Sequence, residues 1–200
     1  MIPIRTALIL MSGLLLTACA SSPPVQFFTL NPTATLSTVA PRADTILQVA
    51  AVHIPALLDR QEMVRKTSAN TIRISDRHRW AAPLDRMVQR VLTQDLAQRL
   101  PAGAMIPPDQ PAPPGTARIV IDILQFETDA SGTAVFGGSW SLLHQDEDNT
   151  IQNAPLHLRA TASATDYAAQ AQAMSRIIGQ IADAIAARLA SDTGANGGKR

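Results

Sequence analysis

Along most of this chain apolar positions come in short alternating or continuous runs, and only two segments carry the three-to-four-residue period of a helix. Residues 46–52 (Ile46-Leu47-Gln48-Val49-Ala50-Ala51-Val52) form an apolar run ended by Pro55, the pattern of a buried strand. Met63-Val64-Arg65-Lys66 and Thr71-Ile72-Arg73-Ile74 flank Ser68-Ala69-Asn70 and predict a hairpin. Three further strands are expected over residues 117–128, 133–145 and 150–163. They are joined by Asp129-Ala130-Ser131-Gly132 and Asp146-Glu147-Asp148-Asn149, both with strong turn chemistry.

The first helical stretch repeats Leu84, Val88, Val91, Leu92 and Leu96, with Pro83 suited to its first turn and Pro101 stopping it. The second runs from about Asp166 to Ala190 behind Thr165 as N-cap, with an apolar stripe of Ala171, Met174, Ile178, Ile181, Ile185 and Leu189. Between the helical stretches, residues 107–115 hold five prolines and read as a stiff loop. Hairpin-linked strands with two helices predict an α+β fold. It is a two-layer sandwich in which the two main helices cover one face of a largely antiparallel sheet. The other face is left to water or to a partner.

The ends of the chain read differently. Arg5 precedes an uncharged stretch from Thr6 to Leu16, the layout of a secretory signal and too short to span a bilayer stably. It closes on Leu16-Thr17-Ala18-Cys19, which carries the only cysteine. This pattern resembles the bacterial lipobox, in which the thiol receives a diacylglycerol and the chain is cut before the cysteine. Ala18-Cys19-Ala20 also fits an ordinary small-x-small cleavage site, and a cut after Ala20 would release an unanchored protein. The expected organisation is a signal over 1–18, a lipidated flexible tether over 19–44, one α+β domain over 45–190, and a disordered tail over 191–200. Ser, Pro, Thr and Ala dominate the tether. Phe27-Phe28-Thr29-Leu30 interrupts it and is expected to dock on the domain as a short strand.

Composition then narrows the chemistry. The chain has 17 basic and 16 acidic residues, a balance that argues against an electrostatically driven nucleic-acid binder. One cysteine cannot make a disulfide framework, a zinc cluster or a dithiol site. His53, His78, His144 and His157 fall in separate elements without metal-ligand spacing. Gly137-Gly138-Ser139-Trp140-Ser141 lacks the last glycine of a nucleophile elbow and lies within a strand, where it reads as a close backbone approach. Asp146-Glu147-Asp148-Asn149 lacks the glycine and closing glutamate of a calcium loop. An enzyme is not expected, nor any cofactor beyond a covalent lipid on Cys19.

Residues 59–90 stand out, with eight Arg or Lys against four acidic side chains. Such a strip is either a salt-bridge-laced face or a docking strip for a partner or anionic headgroups, because Arg binds carboxylate and phosphate in bidentate fashion. Arg60, Arg65, Arg79 and Trp80 are the docking candidates. Trp80 suits either an interface anchor or a plug over the first helix.

Leu58-Asp59-Arg60-Gln61-Glu62-Met63-Val64-Arg65, Asn70 and Arg79-Trp80-Ala81-Ala82-Pro83-Leu84, with Phe27-Phe28-Thr29-Leu30 upstream, resemble the ABC-type transport auxiliary lipoproteins, the paraquat-inducible protein C group. Gln61 departs from that pattern, which commonly has proline there. The resemblance implies a periplasm-facing lipoprotein on the inner leaflet of the outer membrane, since Ala20 rather than Asp follows Cys19. It implies membrane lipid held through Cys19 and a periplasm-spanning MCE (mammalian-cell-entry) domain protein as partner, within a lipid-transport system that bridges the two membranes. Homo-oligomerisation, as a ring matching the MCE assembly, is left open. The alternative function is a periplasmic carrier that itself holds an acyl chain between helix and sheet.

Overall fold

The computed structural model describes residues 23–33, 46–143 and 152–196. Among these residues, eight strands and two helices follow one another as β1 (Gln26–Phe28), β2 (Leu47–His53), β3 (Glu62–Ser68), β4 (Thr71–Trp80), α1 (Leu84–Arg99), β5 (Met105–Ile106), β6 (Ala117–Thr128), β7 (Ala134–Leu143), β8 (Gln152–Ala160) and α2 (Tyr167–Asn196).

β6 is the spine of the sheet. Its whole length pairs antiparallel with β7, which in turn pairs antiparallel with β8. Its other edge is shared: β2 runs parallel to Ala117–Asp122, and β3 touches it only where Arg65 meets Thr128. β3 and β4 form the predicted antiparallel hairpin, β1 adds parallel to the end of β4, and β5 adds parallel to β2. The sheet is therefore mixed and curled, and its two longest pairings, β6–β7 and β7–β8, are antiparallel. β5, just before the proline-rich loop of residues 107–115, pairs through only two residues.

The alternation of β6 explains its role in the core. Ile119, Ile121 and Ile123 are buried toward the helices, whereas Arg118 and Leu124 are exposed. The stripe of α1 (Leu84, Val88, Val91, Leu92, Leu96) and that of α2 (Met174, Ile178, Ile181, Ile185) close over them with Trp140, Phe126 and Phe136. Phe126 and Phe136 meet edge to face, with ring centroids 5.7 Å apart.

Three helix boundaries differ from the sequence reading. Pro83 sits just outside α1, extended at ψ 133°, because it precedes rather than opens the helical turn. Asp166, not Thr165, caps α2: its Oδ1 accepts from the N–H groups of Ala168 and Ala169 at 2.8 and 3.0 Å. α2 also continues beyond Ala190 to Asn196. The acidic turn at 146–149 lies outside the described residues.

Gly138 is required by the sheet. A Cβ there would collide with the carbonyl oxygen of Asp122 on β6, beside the bulge that ejects Leu124. Gly138→Ala should lower unfolding free energy by about 1–3 kcal/mol, the usual cost of forcing atoms into a packed site. Denaturant titration against Gly137→Ala, where a Cβ meets only ordinary contacts, measures the difference.

Candidate functional site

The N-terminal segment does not merely touch the domain; it threads it. After β1, residues 29–33 cross between α1 and α2 as a strap. Leu30 is completely buried, and the Leu30 carbonyl accepts from Arg90 Nη2 at 3.0 Å. Ala81 N–H donates to the Phe28 carbonyl at 2.8 Å, and Asn31 N–H donates to Ser175 Oγ at 3.2 Å.

The strap ends on a buried latch. Thr33 N–H donates to Asp95 Oδ1 at 2.8 Å. Arg99, one turn further along α1, lies 3.6 Å from the same carboxylate. The guanidinium also donates to Asp183 Oδ1 at 2.6 Å and to the Gly179 carbonyl at 3.2 Å, tying α1 to α2. Asp95 and Arg99 are both buried, whereas Asp183 is half exposed. Gly179 makes room for the strap, since a Cβ there would strike Thr33.

Burial pushes the Asp95 carboxyl above the usual carboxylate range, and the nearby Asp183 charge adds to this. The Thr33 hydrogen bonds and the Arg99 charge pull the other way without cancelling it.

The sequence candidates are distributed around the β1–β4 end of the sheet. Trp80 is 4% exposed and pairs with Phe28, the position of a core side chain. Arg79 faces Glu62 across the hairpin at 3.5 Å. Arg65 lies over the Tyr167 ring, 5.7 Å from its centroid, and that ring stacks on His78 at 3.7 Å. Burial and the neighbouring Arg77 charge lower the His78 pKa. Arg60 Nε donates to the Leu57 carbonyl at 2.9 Å and braces a local turn. The buried Nε atoms of Arg65 and Arg79 have no hydrogen-bond partner among the described residues. Arg65 and Arg79 thus share the β3–β4 hairpin, with Trp80 beneath it and Arg60 apart in the preceding turn. Cys19 lies outside the described residues.

Beside the strap a groove of about 730 Å³ runs between Phe27, Phe28 and Pro32 on one side and Asp166, Gln172 and Arg176 on the other. Among the described residues no cluster of His, Cys, Asp or Glu has the geometry of a metal site. No described helix is long and apolar enough to cross a membrane.

The latch escaped sequence reading. Its signals were an Asp and an Arg at i, i+4 on the apolar side of α1, around Leu96, and a glycine inside the apolar stripe of α2.

An α+β sandwich whose N-terminal strap is latched between its helices is the class this geometry defines. The family model described as ABC-type transport auxiliary lipoprotein component matches residues 28–186, and the chain belongs to that family. No curated protein matches it. Among solved structures it is similar to an uncharacterised protein at 22% identity, over 84% of this chain and 99% of that one, with a TM-score of 0.71. It is also similar to a Xanthomonas campestris protein of family DUF330 at 18% identity, over 86% of this chain and 98% of that one, with a TM-score of 0.63. At these identities the two structures speak for the fold.

Two outcomes check the latch. Arg99→Met leaves Asp95 buried without its cation and should cost about 3–5 kcal/mol of stability. The folded Asp95 carboxyl binds its proton more tightly than the unfolded one does. Its contribution to stability therefore grows as pH falls through its raised pKa, and levels off below the unfolded value of about 3.9. The native chain should accordingly gain on Asp95→Asn as pH is lowered from neutral toward that value, measured by denaturant unfolding across the range. A gap between the two that stays constant with pH would contradict the assignment.

Proposed function

We propose that this protein is a lipid-anchored, periplasm-facing and non-enzymatic auxiliary subunit of an ABC-type lipid-transport system. Cys19 carries the lipid and holds the chain on the inner leaflet of the outer membrane. The domain docks on a periplasm-spanning MCE-domain protein, so that lipid passes between the membranes without crossing water. The observation that carries this reading is the family match over residues 28–186, set nine residues after a cysteine with lipobox surroundings. Two or three acyl chains make such an anchor long-lived, because each buried CH₂ contributes about 0.8 kcal/mol. Confinement at the membrane raises the effective concentration of the domain, so even a weak docking surface stays engaged. Arg65 and Arg79 are the docking candidates, since both are partly exposed on the hairpin and Arg makes bidentate contacts to carboxylate, and Arg60 extends the strip.

The carrier alternative has less support. The space between helices and sheet is filled by the buried side chains of the core. The groove beside the strap mixes Asn31, Thr33, Gln172 and Arg176 with its apolar residues, which suits water better than an acyl chain.

Replacing Cys19 with Ser should leave the domain folded, by circular dichroism, and move the protein from the outer-membrane fraction to the soluble periplasmic fraction. Unchanged fractionation would count against the anchor. Charge reversal at Arg65 and Arg79 together should reduce co-purification of the MCE-domain protein without altering membrane fractionation. Undiminished co-purification would remove these residues from the docking surface.

A further inference from the structure

Seven large apolar side chains are exposed among the described residues, and four of them gather at one edge: Val25, Phe27, Ile72 and Ile74. Single exposed apolar residues need no explanation, but a cluster marks a contact surface. The same edge carries Lys66, Arg73 and Arg77, with Asp76 as the acidic side chain between residues 66 and 77. No ion pair engages these three cations among the described residues. Apolar side chains flanked by free cations match a bilayer surface, where hydrocarbon lies just below anionic headgroups.

The direction of the chain decides what covers this edge. β1 runs parallel to β4, with Gln26 beside His78. Residues before Gln26 are therefore aimed along β4 toward the β3–β4 turn. Because β4 bulges between Ile74 and Arg79, where five of its residues span two of β3, counting back puts Pro23 at about the level of Ile72. Two prolines at 23 and 24 have no N–H to give β4, so the pairing stops and the edge of β4 from Thr71 to Arg77 is left open.

Length then limits where a membrane can be. Cys19 is four residues before Pro23, and four residues fully extended span at most about 13–14 Å. From Ile72 to Thr71, at the start of the hairpin turn, is one residue, or about 3 Å of strand. The anchor can pass the start of the hairpin turn by at most about 10 Å.

We infer that the β3–β4 hairpin lies on the lipid headgroups of the membrane that holds Cys19, with Ile72 and Ile74 at the hydrocarbon boundary and Lys66, Arg73 and Arg77 among the phosphates. The inference rests on the anchor proposed above. It turns the role of the anchor from a long leash into a short mount, which fixes the orientation of the domain on the membrane.

The test uses the full lipidated chain, reconstituted in vesicles of phosphatidylethanolamine and phosphatidylglycerol. With the Cys19 sulfur occupied by lipid, a second cysteine takes a nitroxide label alone. Labels go at Ile72→Cys, at Ser68→Cys near the hairpin tip, and at Asp109→Cys beyond β5 on the opposite edge of the sheet. Relaxation by lipid-soluble oxygen relative to a water-soluble nickel chelate should be severalfold greater at both hairpin sites than at residue 109. Vesicle-bound protein whose hairpin labels are as water-accessible as residue 109 would overturn the inference and leave the edge to a protein partner. Protein that does not float with the vesicles at all would overturn the anchor itself, and the two failures are read separately.

Discussion

Asp95 and Arg99 form the junction on which the rest of the structure depends, because three separate pieces of chain meet at their buried charges. A buried ion pair is costly, since both ions give up water, and it persists only where further hydrogen bonds satisfy them. Thr33 on the strap serves one carboxylate oxygen, while Asp183, the Gly179 carbonyl and, within α1, the Asp95 carbonyl serve the guanidinium; Asp95 Oδ2 has no hydrogen-bond partner among the described residues. The strap thus satisfies part of the buried charge that holds the two helices together. Chain that would otherwise be a leader to the domain is one of its structural members.

This has a topological consequence. With the first strand at Gln26 and the latch at Thr33, six residues separate Cys19 from the sheet. A linker of six or seven residues has a root-mean-square span of about 15 Å. A lipid on Cys19 would therefore place the domain against its membrane, and reach toward a distant partner would have to come from that partner.

Much of the fold was legible in the sequence because its elements satisfy local rules. The hairpin around Ser68-Ala69-Asn70, the period of Leu84 to Leu96 and the stripe from Ala171 to Ile185 each carry their own signal, and Phe27-Phe28 stood out as a strand in a polar stretch. The parallel pairings were not legible, since β2 beside β6 and β1 beside β4 join segments far apart in sequence, and alternation within a strand does not name its neighbour. Asp166 displaced Thr165 as cap because either residue suits the position and only the backbone path decides. The candidate arginines could be found by charge alone. That Arg65 lies over Tyr167, or that Trp80 turns inward onto Phe28's side of the sheet, depends on register and a bulge in the hairpin.

Membership of a transport-auxiliary lipoprotein family, a latched strap and a short mount form one account, in which a rigid domain is held at a membrane in a set orientation. Its central claim is that residues 26–33 belong to the folded core. Native-state hydrogen exchange tests this most directly. The account predicts that the amides of Asn31, Thr33 and Ala81 exchange as slowly as those in the middle of α1, opening only with global unfolding. Exchange of the strap amides at rates typical of unstructured chain, while α1 stays protected, would contradict it.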